Sequence, residues 1–205
     1  MSEKLQANET KTRLLVLRHG QSEWNAEGRW QGQADIQLTE QGIIQANQAA
    51  QKLGSFDLIA TSTLQRARRT AEIIAQHLNS GGVLVDERLK ESNVGPWQGL
   101  TVAEIEAGWP GFLSSRRQPD GFESNISVVQ RMTNSFIDIA DKCRGGQALI
   151  ISHSGVIRTL RRELNVSDNR LENLGGSWFE IDAHNKLRAG RLVAVLGELN
   201  STDSL

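Results

Sequence analysis

A chain of 205 residues, 38% of them hydrophobic, is long enough to form one domain with a substantial core. With 23 basic and 24 acidic side chains, it lacks the general positive field of a protein that coats nucleic acid or an anionic membrane. No apolar run approaches the roughly 20 residues that span a bilayer, and the polar residues 1–11 do not resemble a signal peptide. Cys143 is the only cysteine, which favours a cytoplasmic location.

The first half of the chain alternates short apolar runs with amphipathic stretches. Residues 13–17 (RLLVL) are apolar and branched, which predicts a buried strand, and the polar triplet Arg18-His19-Gly20 follows at once. Thr39 is a predicted helix N-cap and Gly54 a predicted helix end. The patterns predict strands at 13–17, 56–60 and 83–85, and helices at 38–53 and 64–78.

The second half begins with an irregular stretch, about 86–123, that glycines and prolines interrupt. We predict only a short helical piece at 102–106 and expect the rest to be a long excursion over the site, because such long loops are usually functional or disordered. Trp97 and Trp109 provide it with apolar anchors. Beyond it we predict helices at 125–143, capped by Ser124, and at 154–164, and strands at 148–151, 177–181 and 188–196.

This alternation of strands and helices predicts an α/β domain with helices on both faces of a mostly parallel sheet, a three-layer α/β/α sandwich. Ligands of such sheets bind outside the carboxyl ends of the strands. Two of the four histidines, His19 and His153, directly follow predicted strands, so we expect both at that edge. We assign one domain to residues 12–198 and flexible tails to 1–11 and 199–205.

A cluster of cations at that edge would suit a phosphate monoester. Its negative charge needs converging donors, and its transfer needs a nucleophile and an acid for the leaving oxygen. Arg18 and His19 supply a cation and a nucleophile side by side, and Arg66, early in a helix, can reach the same edge. The helix that begins near Ser154, after His153, offers free backbone N–H groups to an anion. The cations would lower the pKa of His19 and keep it neutral and nucleophilic.

Glu91, just after the third strand, is the candidate proton donor to the leaving alkoxide and the candidate base for the attacking water. Each candidate also has an ordinary structural interpretation. Glu91 could form a loop salt bridge, Arg66 a solvated helix face, and His153 a satisfied core histidine. The hypothesis depends on their joint occurrence at strand ends.

The motifs that contain these residues resemble the histidine phosphatase superfamily, also called phosphoglycerate mutase-like proteins. The segment LRHGQSEWN at 17–25 resembles the RHG signature, and TSTLQRA at 61–67 is similar to the "SxLxRA" element. LKE at 89–91 with GPWQG at 95–99 resembles "LxE…GxWEG", and ISHSGVIR at 151–158 resembles the second-histidine segment. Ser154 and Phe122 stand where the family often has glycine. Ordered matches extend from residue 14 to about residue 164.

The resemblance implies a phosphoglycerate mutase-like fold and a role for each matched residue. His19 would be the phosphorylated nucleophile, Glu91 the proton donor, and Arg18, Arg66 and His153 the rest of the phosphate pocket. Further substrate contacts are implied for Asn25, Ser22, Gln31, Gly32 and Ser154. The implied catalysis uses no metal or other cofactor, and the implied partner is a small phosphomonoester, with no nucleic acid and no membrane. A homodimer is expected on family grounds alone.

Phosphatases and cofactor-dependent mutases share this pocket. The pocket alone therefore does not distinguish hydrolysis from the transfer of a phosphoryl group between two positions of the substrate. The segment between Glu91 and His153 is short, and the residues after Glu91 lack the "HYG" element of the cofactor-dependent phosphoglycerate mutases. A less enclosed phosphohistidine is open to water, which favours a phosphatase. A phosphoglycerate or a sugar-acid phosphate is the candidate substrate. The alternatives are a cofactor-dependent phosphoglycerate mutase and a non-catalytic phosphate-binding module. Arg116 and Arg117 either belong to a solvated loop or meet a second charge on the substrate.

Overall fold

Residues 11–197, described by a computed structural model, are built around a six-stranded sheet. The strands are β1 (Thr12–Arg18), β2 (Leu58–Thr61), β3 (Leu84–Val85), β4 (Gln147–Ser152), β5 (Gly175–Ile181) and β6 (Leu187–Ala194). Their order across the sheet is β3-β2-β4-β1-β5-β6. The first four strands are parallel, β5 runs antiparallel to β1, and β6 antiparallel to β5, so the sheet is mostly parallel as predicted. Apart from Lys11, the predicted tails lie outside the described residues.

The α-helices of this part of the chain are α1 (Glu23–Ala26), α2 (Glu40–Lys52), α3 (Gln65–His77), α4 (Val102–Gly108), α5 (Asn125–Lys142) and α6 (Ser154–Glu163). Thr39 caps α2, accepting a hydrogen bond from the Gly42 N–H, and Ser124 caps α5 in the same way through the Ser127 N–H. Both caps were predicted. Within residues 11–197, no helix is long and apolar enough to cross a membrane.

The alternation of side chains along β1 divides the core into two layers. Leu14 and Val16 pack with apolar residues of α5 and α6 on one face of the sheet, whereas Leu15 and Leu17 pack with α2 and α3 on the other. All four leucine and valine side chains are buried, as expected for a central parallel strand that is covered on both faces. The structure is therefore the predicted three-layer sandwich.

The excursion at 86–123 has a small core of its own. Trp97 is buried there and meets Trp30, Trp109 and Phe122 edge to face, with ring centroids 5.1, 6.3 and 5.7 Å away. Edge-to-face packing is a preferred arrangement of aromatic rings. Trp109 thus anchors the excursion, as the sequence indicated, and the helical piece predicted at 102–106 extends over Val102–Gly108.

Several elements differ from the sequence prediction. β2 begins at Leu58 and not at residue 56, β6 ends at Ala194 and not at residue 196, and the excursion contains two 3-10 helices that were not predicted, Glu87–Leu89 and Gly95–Trp97. The short helix α1 was not predicted, because four residues are too few to show a helical period. β5 begins two residues earlier than predicted, with Gly175 and Gly176, which have low strand propensity. A side chain on Gly176 would overlap the carbonyl oxygen of Val16, so the close approach of β5 to β1 requires glycine at this position.

Candidate active site

Two histidines meet at the carboxyl edge of the sheet because two neighbouring strands end there in register. Arg18 at the end of β1 lies opposite Ser152 at the end of β4, and the His19 N–H donates to the Ser152 carbonyl oxygen at 3.1 Å. His19 and His153 follow these strands, with their ring centroids 5.2 Å apart and the ring planes at 62°. They are 3% and 0% exposed. The structure therefore places the two histidines together, as the strand-end argument predicts.

The hydrogen bonds of His19 define its tautomer. Nδ1 lies 2.6 Å from the Gly20 carbonyl oxygen, which can only accept, so Nδ1 carries the proton. The Nε of Arg66, which can only donate, lies 3.2 Å from Nε2. Burial, and then the positive charges of Arg66 and Arg18, hold the pKa of His19 well below its usual value. His19 is therefore a neutral imidazole with a lone pair on Nε2.

Arg66 is fully buried and connects His19 to the loop after α1. Besides the contact with His19, its guanidinium donates to the carbonyl oxygens of Ala34 at 2.6 Å and Gly32 at 2.8 Å. Burial lowers the pKa of Arg66 to about 10, so it stays positive at neutral pH. Asp35, from the loop after α1, accepts from the N–H of Gln65 at 2.7 Å and so binds the first residue of α3, the helix that carries Arg66.

Arg18 and His153 are the remaining strand-end residues of the site. Arg18 donates to the Leu171 carbonyl oxygen at 2.8 Å, and burial lowers its pKa. His153 Nε2 lies 2.9 Å from the Ser62 hydroxyl oxygen, whereas its buried Nδ1 has no hydrogen-bond partner among residues 11–197. Burial, and then the charge of Arg66, lower the pKa of His153 well below its usual value. A buried imidazole nitrogen without a partner is unusual and suits a ligand that supplies one.

Glu91 occupies the amino end of α6. Its carboxylate accepts hydrogen bonds from the N–H groups of Gly155 at 3.0 Å, Val156 at 3.1 Å and Ser92 at 2.9 Å. A Cβ on Gly155 would lie 2.5 Å from the Glu91 Oε1, so glycine allows this approach. We expected the first N–H groups of this helix to be free for phosphate. That expectation is wrong for Gly155 and Val156, because a carboxylate competes for the positive end of the helix dipole.

The five residues that the family resemblance implied as substrate contacts differ in their hydrogen bonds. Ser22 is fully buried and its hydroxyl donates to Gln31 Oε1 at 2.8 Å, so this proton is directed at Gln31 and not at the pocket. The Gly32 carbonyl oxygen accepts from Arg66, and Ser154 is the first residue of α6. Asn25 Oδ1 accepts a long hydrogen bond, 3.4 Å, from Asn173 Nδ2.

Four residues that contact the site were not predicted from the sequence. Asn173 Nδ2 donates to the His19 carbonyl oxygen at 2.9 Å, and Thr70 accepts from the Gly20 N–H at 3.1 Å. Ser62 contacts His153, and Arg131 contacts the main chain of Glu91. Ser62 and Thr70 lie in or beside quoted motifs, which was the available signal. Asn173 lies beyond the motifs, and nothing in its local sequence marks it.

No group of three histidine, cysteine, aspartate or glutamate side chains between residues 11 and 197 is arranged to hold a metal ion. The site as described consists of two neutral histidines, two arginines and one carboxylate.

Comparison with known proteins identifies relatives. The sequence model of the histidine phosphatase superfamily (branch 1) matches residues 14–184. The chain is 34% identical over 171 residues to phosphoglycerate mutase-like protein 4 of Arabidopsis thaliana, covering 78% of this chain and 74% of that protein. It is 35% identical over 192 residues to glucosyl-3-phosphoglycerate phosphatase of Mycobacterium tuberculosis, covering 84% and 86%. A structure of phosphoserine phosphatase from Entamoeba histolytica in complex with 3-phosphoglyceric acid has a TM-score of 0.75 and 31% identity, covering 89% and 97%.

These relatives confirm the predicted phosphoglycerate mutase-like fold and the prediction of a phosphatase. The family match spans β1 through β5, and therefore both strand ends that carry the histidines. The relatives exceed 30% identity over more than two thirds of their own lengths. On these grounds the chain belongs to the histidine phosphatase superfamily.

Proposed function

We propose that this protein hydrolyses a small phosphomonoester through a phosphohistidine formed on Nε2 of His19. The observation that carries the proposal is a buried, neutral His19 whose Nε2 lone pair faces Arg66, with the charge of Arg18 and the unpartnered Nδ1 of His153 close by. A preorganised set of donors around a developing phosphoryl charge is the largest catalytic contribution that a protein makes to such a transfer.

In the first step, the Nε2 lone pair of His19 attacks phosphorus while the bond from phosphorus to the leaving oxygen breaks. Arg18, Arg66 and His153 hold the phosphoryl oxygens, and the Nδ1–H of His19 remains on the Gly20 carbonyl, so the ring keeps its orientation. Glu91 in its protonated form gives its proton to the leaving oxygen. The products are an alcohol, phospho-His19 and the Glu91 carboxylate.

In the second step, water attacks phosphorus and the bond between phosphorus and Nε2 breaks. The Glu91 carboxylate takes a proton from the attacking water, which restores the acid for the next cycle. Inorganic phosphate leaves, and His19 is again neutral. The same carboxyl group therefore serves both steps, as the acid in the first and as the base in the second.

The substrate that we propose carries a second negative group, such as a carboxylate. Arg158 lies one helical turn after Ser154 on the same face of α6, and its Nε donates to the Asp168 carbonyl oxygen at 2.8 Å. The Asp168 carboxylate is held by Arg162 at 2.6 Å and lies 3.9 Å from Arg158. Burial lowers the pKa of Arg158, and the positive charge of Arg116 is among the further causes. Arg158 and Arg162 therefore share one carboxylate, which leaves positive charge on α6 for a substrate anion.

The names of the relatives agree with such a substrate. The mycobacterial protein acts on glucosyl-3-phosphoglycerate, and the amoebal phosphoserine phosphatase was captured with 3-phosphoglyceric acid. For this chain we propose a phosphorylated carboxylic acid of that kind. We also propose a cytoplasmic location, supported by the single cysteine, and no nucleic-acid partner, supported by the net charge of −1. A homodimer remains a prediction that light scattering would test.

The deciding experiment measures phosphate release from a panel of phosphomonoesters with the wild type and with His19→Ala. The panel contains 3-phosphoglycerate, phosphoserine and glycerol phosphate, each with and without a chelator. We expect release by the wild type, insensitivity to the chelator, and loss of release in the variant. Rapid alkaline quenching should trap a phosphoprotein that is stable in alkali, labile in acid and absent from His19→Ala. His77→Ala, at an exposed position on α3, is the matched control.

The same reactions separate the alternatives. Formation of 2-phosphoglycerate from 3-phosphoglycerate, dependent on added 2,3-bisphosphoglycerate and without net phosphate release, would establish a mutase instead. Binding of inorganic phosphate without turnover of any ester would establish a binding module. Phosphate release that persists in His19→Ala would contradict the phosphohistidine mechanism.

A further inference from the structure

We infer that Arg131, aligned by Glu123, is a positioning residue that holds the main chain of Glu91 so that its carboxyl group reaches the leaving oxygen. The inference rests on the proposed role of Glu91 as the proton donor. Arg131 lies on α5 and belongs to none of the motifs that define the phosphate pocket.

Arg131 binds the main chain at Glu91 and in the residues just before it. Its guanidinium donates to the carbonyl oxygens of Arg88 at 2.6 Å, Lys90 at 2.7 Å and Glu91 at 3.3 Å. The Arg131 side chain is 18% exposed, so these bonds are largely shielded from water. A buried guanidinium with five donors can hold several carbonyl groups at once, which a lysine ammonium on a flexible stem does less well.

Glu123 fixes the guanidinium from the other side. Its carboxylate oxygens lie 2.7 and 2.9 Å from Arg131 Nε and Nη2, a bidentate pair. Glu123 also accepts from the Asn93 N–H at 3.2 Å, and its own N–H donates to the Asn93 carbonyl oxygen at 2.8 Å. Burial opposes ionisation of Glu123, but the hydrogen bonds and charge of Arg131 prevail and lower its pKa. The chain is thus held immediately before and after Glu91.

A third contact acts on the same carbonyl group. Gln33 Nε2 donates to the Glu91 carbonyl oxygen at 2.9 Å, so this oxygen receives two side-chain donors from different parts of the fold. The Glu91 carboxylate rests on α6 through the Gly155 and Val156 N–H groups. With its main chain fixed, Glu91 can move its carboxyl group from the N–H groups of α6 to the leaving oxygen by rotating its side chain alone. General acid catalysis needs the donor within hydrogen-bond distance of the leaving oxygen, which such a fixed pivot provides.

The alternative is that Arg131 only fastens α5 to the chain at 88–91. Leaving groups of different basicity separate the two roles. An alkoxide must be protonated as it departs, whereas p-nitrophenolate leaves without an acid. A loss of positioning therefore slows phosphoryl transfer from alkyl esters selectively, whereas a loss of stability lowers the active fraction equally for both substrates.

The experiment measures kcat/KM, which reports the first chemical step, for p-nitrophenyl phosphate and for the best alkyl phosphate. Glu91→Gln should lower the alkyl value by on the order of 10²–10⁴ and change the p-nitrophenyl value little. Arg131→Gln should reproduce this selectivity with a loss of about tenfold or more, and Arg131→Lys should recover part of it. The double variant Glu91→Gln/Arg131→Gln should be no slower on the alkyl ester than Glu91→Gln alone.

Met132→Ala, next to Arg131 on α5 and fully buried, is the control for simple destabilisation. It should lower the melting temperature and leave the ratio of the two kcat/KM values unchanged. Should Arg131→Gln fail to fold, Glu123→Gln, which weakens the alignment and leaves the guanidinium in place, takes the same measurement. Equal losses on both substrates in the Arg131 and Glu123 variants would overturn the inference and leave the proposed function intact. A Glu91→Gln enzyme without leaving-group selectivity would overturn the acid role, and the inference with it.

Discussion

Nε of Arg66 lies 3.2 Å from Nε2 of His19, so a buried cation faces the lone pair that we propose as the nucleophile. This contact has two effects. In the proposed mechanism it supplies a donor to a phosphoryl oxygen, and its charge, second to burial, lowers the pKa of His19. Burial and the positive charge of Arg66 together therefore keep His19 neutral.

Arg66→Gln should remove both effects. We expect kcat/KM to fall by on the order of 10²–10³, as for loss of one preorganised donor to a transition state. Because a cation that lowers the pKa of His19 is removed, that pKa should rise, and the acidic limb of the pH profile should move to higher pH. The profile of kcat/KM between pH 4 and 8 measures this shift. Arg68→Gln, on the exposed side of the same helix, should behave as wild type. An acidic limb that stays in place would contradict the electrostatic coupling.

Gly155→Ala tests the position of Glu91 on α6. The new Cβ would lie 2.5 Å from Glu91 Oε1, so the carboxylate should be displaced from the helix end. We expect kcat/KM for alkyl phosphates to fall by roughly tenfold or more, because the displaced Glu91 carboxyl group would protonate the leaving oxygen less well. Gly81→Ala, where a Cβ meets nothing within 4 Å, is the matched control for replacing a glycine. If both variants keep full activity, the Glu91 contacts with α6 have no catalytic consequence.

The two buried histidines should make folding stability depend on pH. Their pKa values are lowered in the folded state, so below about pH 6.5 the unfolded chain binds protons that the folded chain does not. The histidines' contribution to the free energy of unfolding is fully present above that pH. As the pH drops below it, the free energy of unfolding falls by up to about 1.4 kcal/mol per pH unit for each histidine. Urea unfolding between pH 8 and pH 5 measures the slope.

His153→Gln should reduce that slope by about half, whereas His77→Gln, at an exposed position, should leave it unchanged. Asp86, Glu123 and Asp168 also have lowered pKa values, but their contributions are lost at more acidic pH, near the ordinary range of carboxylates. A slope in His153→Gln equal to that of the wild type would show that the buried imidazoles do not govern this window.

Arg158→Gln addresses the second anion of the substrate. We expect KM for 3-phosphoglycerate or phosphoserine to rise by about tenfold, the worth of one charged hydrogen bond, and kcat to change little. KM for glycerol phosphate, which has no carboxylate, should stay the same. Arg170→Gln, whose side chain is 83% exposed, is the control. Equal changes in KM for both substrate types would rule out recognition of a carboxylate by Arg158.

The parts of the fold that the sequence predicted are those that local chemistry determines. The apolar run of β1 and the caps Thr39 and Ser124 act within a few residues, and each has a recognisable pattern. The start of β5 at Gly175 depends on how closely a distant strand approaches, which no local pattern records. The same division applies to the site.

The pocket itself follows from strand ends and motifs, which bring His19 and His153 to one edge. The contacts of Glu91 with α6 could not be predicted, because they join residues 64 and 65 positions apart. Asn173 supports the His19 carbonyl from 154 positions away. Such supporting contacts depend on tertiary geometry, and asparagine and arginine are too common on surfaces for their identity to reveal them.

The separate aromatic core around Trp97 has a consequence for how this enzyme could change over evolution. Its members pack on one another and not on the sheet, so substitutions at Trp109 or Phe122 need not disturb the packing beneath the histidines. Effects of mutations in two such unconnected clusters are expected to add independently. The excursion can therefore change its sequence over evolution while the packing beneath the two histidines is inherited unchanged.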